Sequence, residues 1–311
     1  MKFQENVFLK SYSNYKIGGP AKYFVEVGFV EELREVLRLA KSLSQDKIAI
    51  LGGGTNVLIS DEGFDGLVIY NKIEGIEEEG DNLVVGSGVL VKDLLNYCIE
   101  NLLSGLEWAG GLPGTVGGAV RGNAGAFKGE TKDNVVRVQS LNLKTLDEIV
   151  RENRECKFGY RNSIFKSGDG IYEFITHVVL GLAAGDKEEI EGKIRQKIEY
   201  RRNRHPLNYP NIGSIFKNIP LVSLSHRLQK ELSAFVKTDP FPVVSASKLI
   251  VLCDLKGKRI GDAMISEKQP NFIVNVGNAK TEDVKALIRM IKQAVKNKYD
   301  ILLEEEIIYL N

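Results

Sequence analysis

Residues 105–129 read GLEWAGGLPGTVGGAVRGNAGAFKG and contain nine of the 31 glycines in the chain. A glycine inside a regular helix or strand costs about 0.5–1 kcal/mol relative to alanine. Glycine at this density therefore indicates backbone that turns with positive φ, or backbone whose N–H groups closely approach a flat ring or a pyrophosphate. The segment predicts either a set of tight turns or a cofactor contact.

A shorter cluster, Gly52-Gly53-Gly54-Thr55-Asn56, follows an apolar strand predicted at residues 47–51. Its amides, hydroxyl and carboxamide suit phosphate oxygens. The cluster matches neither familiar phosphate motif, because a G-x-G-x-x-G would need glycine at Val57 and the Gly-Lys-Ser/Thr of a P-loop is absent. Either cluster alone is typical of a structural loop, but two clusters that both follow predicted strands favour a bound cofactor.

Composition limits the other classes of function. The 311 residues carry 42 Lys and Arg against 41 Asp and Glu, and this net charge of +1 gives no global attraction for nucleic acid or anionic lipid. The three cysteines, Cys98, Cys156 and Cys253, form no C-x-x-C pair, so neither a disulfide framework nor a structural zinc site is expected. No signal peptide or apolar membrane span is recognisable. We expect a cytoplasmic protein.

Apolar periodicity predicts alternating helices and strands. Helices are expected at 30–43, 91–102 and 188–202, with a domain boundary near Pro206, and a final helix behind Thr281 as its N-cap. Strands are expected at 47–51, 57–59, 66–70 and 83–85, and residues 301–310 are expected to form a last strand carrying Glu304-Glu305-Glu306.

Six motifs occur in order along the chain: LGGGTNVLIS (51–60), GLPGTVGGAVRGNAGA (111–126), FGYRNSIFK (158–166), YPNIGSIFKN (209–218), ISEKQPNFIVN (265–275) and LEEEI (303–307). Together they closely resemble the UDP-N-acetylenolpyruvoylglucosamine reductase (MurB) family, in register over nearly the whole chain. The short passage at 201–212, without an inserted tyrosine-bearing loop, resembles the shorter, type II form of the family.

The resemblance implies an α+β fold, with an FAD-binding fold of the vanillyl-alcohol-oxidase (PCMH) type in two subdomains and a C-terminal α+β substrate domain. FAD-binding subdomain 1 would span 1–70 and be joined by a C-terminal strand at 300–311. Subdomain 2 would span 71–200, and the UDP-sugar domain 201–299.

The resemblance also implies the reaction. The family uses FAD and NADPH to reduce the enolpyruvyl ether of UDP-N-acetylglucosamine to UDP-N-acetylmuramate for peptidoglycan synthesis, and a monomer is expected. The implied FAD-binding residues are Gly52, Gly53, Gly54, Thr55, Asn56, Val57, Leu58, Pro113, Gly114, Thr115, Gly117, Gly118, Asn123, Ala124 and Gly125.

Three residues match the family's catalytic positions. Ser214 matches the proton donor, Arg161 the arginine that pairs with the developing enolate, and Glu306 the glutamate of an L-x-x-E pattern. On a regular strand Glu304 would share the side of Glu306, so the assignment between these two acids stays open, and crowding by acids would favour a protonated form.

The implied substrate-binding residues are Lys217, Asn218 and Arg201. Gln269 departs from the family, since many relatives have histidine there. Two other readings stay open: another FAD oxidoreductase of the same fold, acting on a hydroxy acid or an alcohol, and an inactive flavin- or nucleotide-binding protein.

Overall fold

A computed structural model describes residues 2–311. The chain divides into two compact units, each formed by separate stretches of sequence. The first unit contains the chain up to Val7 together with Ala21–Gly53 and Asp65–Arg201, and the second contains Phe8–Pro20, Gly54–Phe64 and Arg202–Asn311. No helix within the described residues is long and apolar enough to cross a membrane.

The α-helices are α1 (Val30–Ser42), α2 (Val91–Glu100), α3 (Val116–Gly122), α4 (Lys187–Arg204), α5 (His226–Glu231), α6 (Ala246–Leu252) and α7 (Thr281–Tyr299). The strands are β1 (Gln4–Phe8), β2 (Pro20–Val27), β3 (Ile48–Leu51), β4 (Val57–Ile59), β5 (Phe64–Asn71), β6 (Ile76–Glu79), β7 (Asn82–Gly86), β8 (Leu103–Ser104), β9 (Gly125–Ala126), β10 (Gly129–Glu130), β11 (Val135–Asn142), β12 (Glu148–Glu152), β13 (Glu173–Gly181), β14 (Ala183–Ala184), β15 (Ile219–Pro220), β16 (Val236–Thr238), β17 (Pro242–Val244), β18 (Arg259–Ile260), β19 (Ala263–Ile265), β20 (Ile273–Asn275) and β21 (Ile308–Leu310).

Two sheets form the frame of the first unit. One has the order β1-β2-β5-β3, with β3 and β5 parallel, and the predicted apolar stripe of α1 packs into a common core with β2 and β5. The other has the order β12-β11-β13-β7-β6 and is antiparallel throughout. Helices α2 and α3 bury their apolar residues in the core that contains β7, β11 and β13.

In the helix expected at 188–202, the spacing of Ile190, Ile194 and Ile198 predicts one buried face, and α4 departs from it. Ile190 and Ile194 are buried as expected, but Ile198 is 37 % exposed. Gly111 faces this part of α4, since a Cβ on Gly111 would lie 3.5 Å from the Cα of Ile198, and glycine offers Ile198 no side chain to pack against.

The second unit has a single large core. Helices α6 and α7 pack with β19 and β20, and the small sheets have the orders β15-β17-β16 and β18-β19-β20. Strand β21 pairs in parallel with β4, so that Ile308 lies beside Val57. This pairing brings the last part of the chain to residues that directly follow the first glycine cluster.

Two local predictions in the second unit are wrong. Thr281 is not the N-cap of the final helix but its first residue, because its hydroxyl donates to the carbonyl of Ile59 (2.6 Å) and its N–H donates to the carboxylate of Asp61 (2.6 Å). Residues 301–310 do not form one continuous strand: only Ile308–Leu310 is regular, and Glu305 makes an isolated bridge with Phe216.

The buried face of α7 provides a test of the second core. Ile291 is fully buried, and we expect Ile291→Ala to lower the free energy of unfolding by about 2–5 kcal/mol because it leaves a cavity. Met290 directly precedes Ile291 on the same helix and is 38 % exposed. Met290→Ala should therefore change stability by no more than about 0.5 kcal/mol in the same urea titration. Equal losses would contradict this packing.

Candidate cofactor and active site

The two glycine clusters meet in the first unit. A Cβ on Gly53 would lie 2.9 Å from the Cα of Gly114, and a Cβ on Gly52 would lie 2.7 Å from the hydroxyl oxygen of Thr115. The first contact leaves no room for a side chain on Gly53, and the second brings Gly52 against the side chain of Thr115. Clusters separated in sequence therefore form one backbone surface.

The first cluster also offers hydrogen-bond donors. Within residues 2–311, the backbone N–H groups of Gly53, Gly54, Thr55 and Asn56 donate to no protein acceptor. Gly54 adopts φ +61°, and a Cβ there would lie 2.0 Å from the carbonyl oxygen of Tyr12, so only glycine fits this turn. Successive N–H groups of this kind bind phosphate oxygens, and the loop fits the pyrophosphate of a dinucleotide cofactor. Val57 and Leu58 continue it as β4.

The start of α3 has a different role. The N–H groups of Val116 and Gly117 donate to the carbonyls of Val89 (2.9 Å) and Ser87 (2.8 Å), and the Gly118 N–H donates to the hydroxyl of Thr115 (3.3 Å). These donors are already used by the protein. Gly117 and Gly118 therefore fix the Pro113–Thr115 turn against the sheet, and within this turn Pro113 is exposed, Gly114 is half-buried and Thr115 is buried.

Asn123, Ala124 and Gly125 follow α3 and position the next part of the site. Asn123 is buried at φ +42°, and its carboxamide donates to the carbonyl of Gly159 (2.9 Å) and accepts from the N–H of Lys132 (3.1 Å). The Ala124 carbonyl accepts the N–H of Thr131 (2.8 Å). This segment is thereby joined to the loop that carries the YRNS motif.

Arg161 lies on that loop. Residues 159–162 form a tight turn with reciprocal backbone hydrogen bonds, and Arg161 adopts φ +54°, which is rare for a residue other than glycine. Its Nη2 donates to the carbonyl of Gly125 (2.6 Å), and its guanidinium lies 5.0 Å from the ring centre of Tyr160. The strained backbone and these contacts fix the guanidinium beside the glycine-rich run.

Arg201 joins Arg161 in the first unit. Its Nε donates to the carbonyl of Gly110 (2.9 Å), its guanidinium lies 5.4 Å from the ring centre of Phe127, and its Nη2 is buried without a hydrogen-bond partner in the described chain. Burial, with the charge of Arg161 as a second cause, lowers the pKa of Arg201 to about 10. Arg161 and Arg201 are close enough for their positive charges to repel each other, and such a pair of guanidinium groups can bind an anion.

Ser214 lies in the second unit, on a segment held at both ends. Before it, Gly213 adopts φ +83° and donates its N–H to the side chain of Asn211 (3.1 Å). After it, the N–H of Ile215 donates to the carbonyl of Asn271 (2.8 Å). Ser214 is half-buried.

The three terminal acids separate in the structure. Glu304 is exposed and pairs with Lys217, whereas Glu305 pairs with Lys292 (2.7 Å) and accepts the hydroxyl of Tyr309. Glu306 is half-buried, and its N–H donates to the carbonyl of Ile215 (2.8 Å). Because the flanking acids have cationic partners, the crowding of acids expected from the sequence is largely neutralised.

The remaining predicted residues are also in the second unit. Lys217 is largely buried, with its amine on Glu304, and the side chain of Asn218 accepts the N–H of Ala246 (3.2 Å). Gln269 accepts the hydroxyl of Ser247 (2.6 Å) and thus has a structural partner. In the part of the chain that the structure describes, no three His, Cys, Asp or Glu side chains come together as a metal site.

Sequence reasoning missed two contributors. Phe127 underlies both Arg201 and Lys197, whose charged groups lie within 5.4 Å and 5.0 Å of its ring centre. Asn271 holds the segment after Ser214. A usable signal for Asn271 was a carboxamide inside the otherwise apolar run PNFIV.

The backbone surface of the two glycine clusters, carried on an α+β fold, defines an FAD-binding protein, and residues 21–145 match the FAD binding domain family. Residues 205–310 match the family described as UDP-N-acetylenolpyruvoylglucosamine reductase, C-terminal domain. Both matches confirm the expected fold class.

Whole-chain relatives agree. The chain is 36 % identical over 313 residues to the UDP-N-acetylenolpyruvoylglucosamine reductase of Caldicellulosiruptor bescii, covering 100 % of this chain and 91 % of that protein, and 34 % identical to the reductase of Halalkalibacterium halodurans, covering 97 % and 92 %. The solved reductase (MurB) from Thermus caldophilus is 32 % identical with a TM-score of 0.78 and covers 100 % of both chains. The chain belongs to the UDP-N-acetylenolpyruvoylglucosamine reductase family.

The contact between the glycine clusters predicts a defect in flavin binding. Gly53→Ala should push the loop away from Gly114 and lower the flavin content of the purified protein, measured from visible absorbance relative to protein. Gly192 is the control, because it lies in α4 and a Cβ there would meet no atom within 4 Å. Gly192→Ala should retain wild-type flavin. Full flavin content in Gly53→Ala would contradict the assignment.

Proposed function

We propose that this chain reduces the enolpyruvyl ether of UDP-N-acetylglucosamine to UDP-N-acetylmuramate with NADPH, as a cytoplasmic monomer. The observation that carries the proposal is the backbone pairing of Ile215 with Glu306, which fixes a serine hydroxyl and a carboxyl group on adjacent segments. FAD, when bound, would supply the hydride chemistry between NADPH and the methylene carbon. Its holders would be the backbone of residues 52–58 and 113–125.

We assign the domains accordingly. Residues 1–70, with the strand at 300–311, and residues 71–200 would hold FAD, and residues 201–299 would hold the UDP-sugar. The match of residues 21–145 to an FAD binding domain and of 205–310 to the reductase C-terminal domain supports the boundary near residue 201 between the FAD-binding part and the UDP-sugar domain.

Arg161 would orient and stabilise the substrate carboxylate. Hydride addition to the methylene carbon builds negative charge on the carbon beside that carboxylate, and a fixed, planar guanidinium stabilises such charge better than a mobile ammonium. The positive φ of Arg161 and its bond to Gly125 hold it in place before substrate arrives. Arg201, whose charge opposes that of Arg161, would bind the same substrate through an anionic group.

Ser214 would give the proton. A serine hydroxyl is a weak acid, but a carbanion beside a carboxylate is a strong base, so the transfer is feasible once the two atoms are held together. The fixed bonds at Gly213 and Ile215 on either side of Ser214 provide that restraint. Glu306, on the paired segment, would assist by hydrogen bonding.

Lys217 and Asn218 would bind the diphosphate end of the substrate. Lys217 is two residues from Glu306's backbone partner Ile215 and pairs with Glu304. A diphosphate would compete with the exposed carboxylate of Glu304 for this amine, because it carries more charge.

The activity is tested by separating its two half-reactions. We expect NADPH to bleach the enzyme-bound flavin and UDP-N-acetylglucosamine-enolpyruvate to restore its colour in the wild type. Ser214→Ala should leave the reduction by NADPH nearly intact and slow the reoxidation by orders of magnitude, because only the second half-reaction consumes its proton. Wild-type flavin that is reoxidised by oxygen but not by the enolpyruvyl substrate would overturn the proposed function.

The two terminal acids give a matched pair of variants. Glu306→Gln should slow reoxidation at saturating substrate, because it changes the group beside Ser214. Glu304→Gln should leave that rate close to the wild type and alter mainly the KM, since Glu304 is exposed and touches Lys217. Rapid-mixing kinetics of both variants measure this, and the reverse pattern would move the role to Glu304.

A further inference from the structure

Asn271 holds the segment after Ser214 through three hydrogen bonds. Its backbone carbonyl accepts the N–H of Ile215 (2.8 Å), its Oδ1 accepts the N–H of Phe216 (3.0 Å), and its Nδ2 donates to the carbonyl of Phe216 (2.8 Å). Asn271 is 4 % exposed and Phe216 is 1 % exposed. A single buried residue therefore satisfies both backbone groups of Phe216.

The opposite edge of the same segment is held by the terminal acids. Ile215 accepts the N–H of Glu306 (2.8 Å), and Lys217 donates its N–H to the carbonyl of Glu304 (2.9 Å). The segment thus forms the middle of a three-part arrangement, with Asn271 on one side and Glu304–Glu306 on the other. The register of Ser214 relative to Glu306 depends on both edges.

A carboxamide at this position has a specific consequence. It presents a donor and an acceptor as a peptide group does, so it pairs with the backbone of Phe216 while the Asn271 carbonyl pairs with Ile215. Ser214 directly precedes these paired residues and follows Gly213 with its positive φ. The hydrogen-bonded backbone after Ser214 and the Gly213 turn before it fix the position of the hydroxyl, while Ser214 stays half-buried.

We propose that Asn271 is a positioning residue that sets Ser214 and Glu306 in one register for the protonation step. It acts through the backbone of Ile215 and Phe216 and does not touch the substrate. This inference rests on the proposed function, because it assigns Asn271 to the half-reaction that consumes the Ser214 proton.

The test is Asn271→Asp, which keeps size and shape. A protonated aspartic acid can still donate to the Phe216 carbonyl, whereas an ionised one opposes that carbonyl with a second oxygen. We expect reoxidation by UDP-N-acetylglucosamine-enolpyruvate to fall about 10- to 100-fold when the aspartate is ionised and to recover as the pH is lowered, since small displacements of reacting groups have effects of this size. Flavin reduction by NADPH should change by no more than about twofold.

The wild type is the reference for the titration of the other ionisable groups near Asn271. Charged or titratable groups on the packed segments are Lys217, Glu304, Glu305 and Glu306, those beside Asn271 in sequence are Glu267 and Lys268, and His205 contacts Phe272 at 5.0 Å between ring centres. All are present in both proteins, so the pH dependence of interest is the ratio of variant to wild type.

A second measurement does not depend on activity. In the purified protein, the amide hydrogens of Ile215 and Phe216 should exchange faster in Asn271→Asp than in the wild type at the pH where reoxidation is lost. Val295→Ala is the control, because it truncates a buried side chain of the same core and removes no hydrogen bond. It should lower the melting temperature without separating the half-reactions.

The outcomes are distinct. Equal slowing of both half-reactions in Asn271→Asp, or slowing with no dependence on pH relative to the wild type, would overturn the positioning role. If Asn271→Asp does not fold, Asn271→Ser keeps one hydrogen-bonding group and should slow reoxidation alone. A wild type that is not reoxidised by the substrate would instead refute the proposed function.

Discussion

A Cβ on Gly53 would lie 2.9 Å from the Cα of Gly114, and this exclusion of side chains is the constraint on which the cofactor site depends. The two loops can share a surface only because Gly53 has no side chain where it meets Gly114. Close packing then leaves the N–H groups after Gly53 without protein acceptors. The chemistry of the loop thus follows from a steric condition, since backbone that cannot pair with itself must pair with a ligand or with water.

Asparagine side chains form hydrogen bonds with backbone groups outside the regular strands. Asn123 joins the end of α3 to the Arg161 turn, Asn211 restrains Gly213, and Asn271 pairs with Phe216. In each case a side chain bonds backbone groups that lie outside the named strands. Such residues make irregular segments as well defined as strands, which suits a site whose reacting groups sit on loops.

Much of the fold could be predicted from the sequence, because the stripe of α1 and the runs of β3, β4 and β5 follow simple periodicities. The motifs identified the family and named Arg161, Ser214 and Glu306. What the sequence could not predict came from distant contacts. The Thr281 hydroxyl donates to the carbonyl of Ile59 and does not cap the helix. The terminal acids pair with lysines elsewhere in the chain, Glu304 with Lys217 and Glu305 with Lys292. Those partners are set by tertiary packing, which local sequence patterns do not predict.

The parallel pairing of β21 with β4 has a consequence for biosynthesis. Residues 57–59 emerge from the ribosome long before residues 308–310, yet they are strand partners. The second unit therefore cannot complete its folding until residues 308–310 have been made. In the meantime the edge of β4 is unpaired, whereas α1 and the first sheet can already form. Until β21 arrives, the unpaired edge of β4 can associate with the strands of other chains.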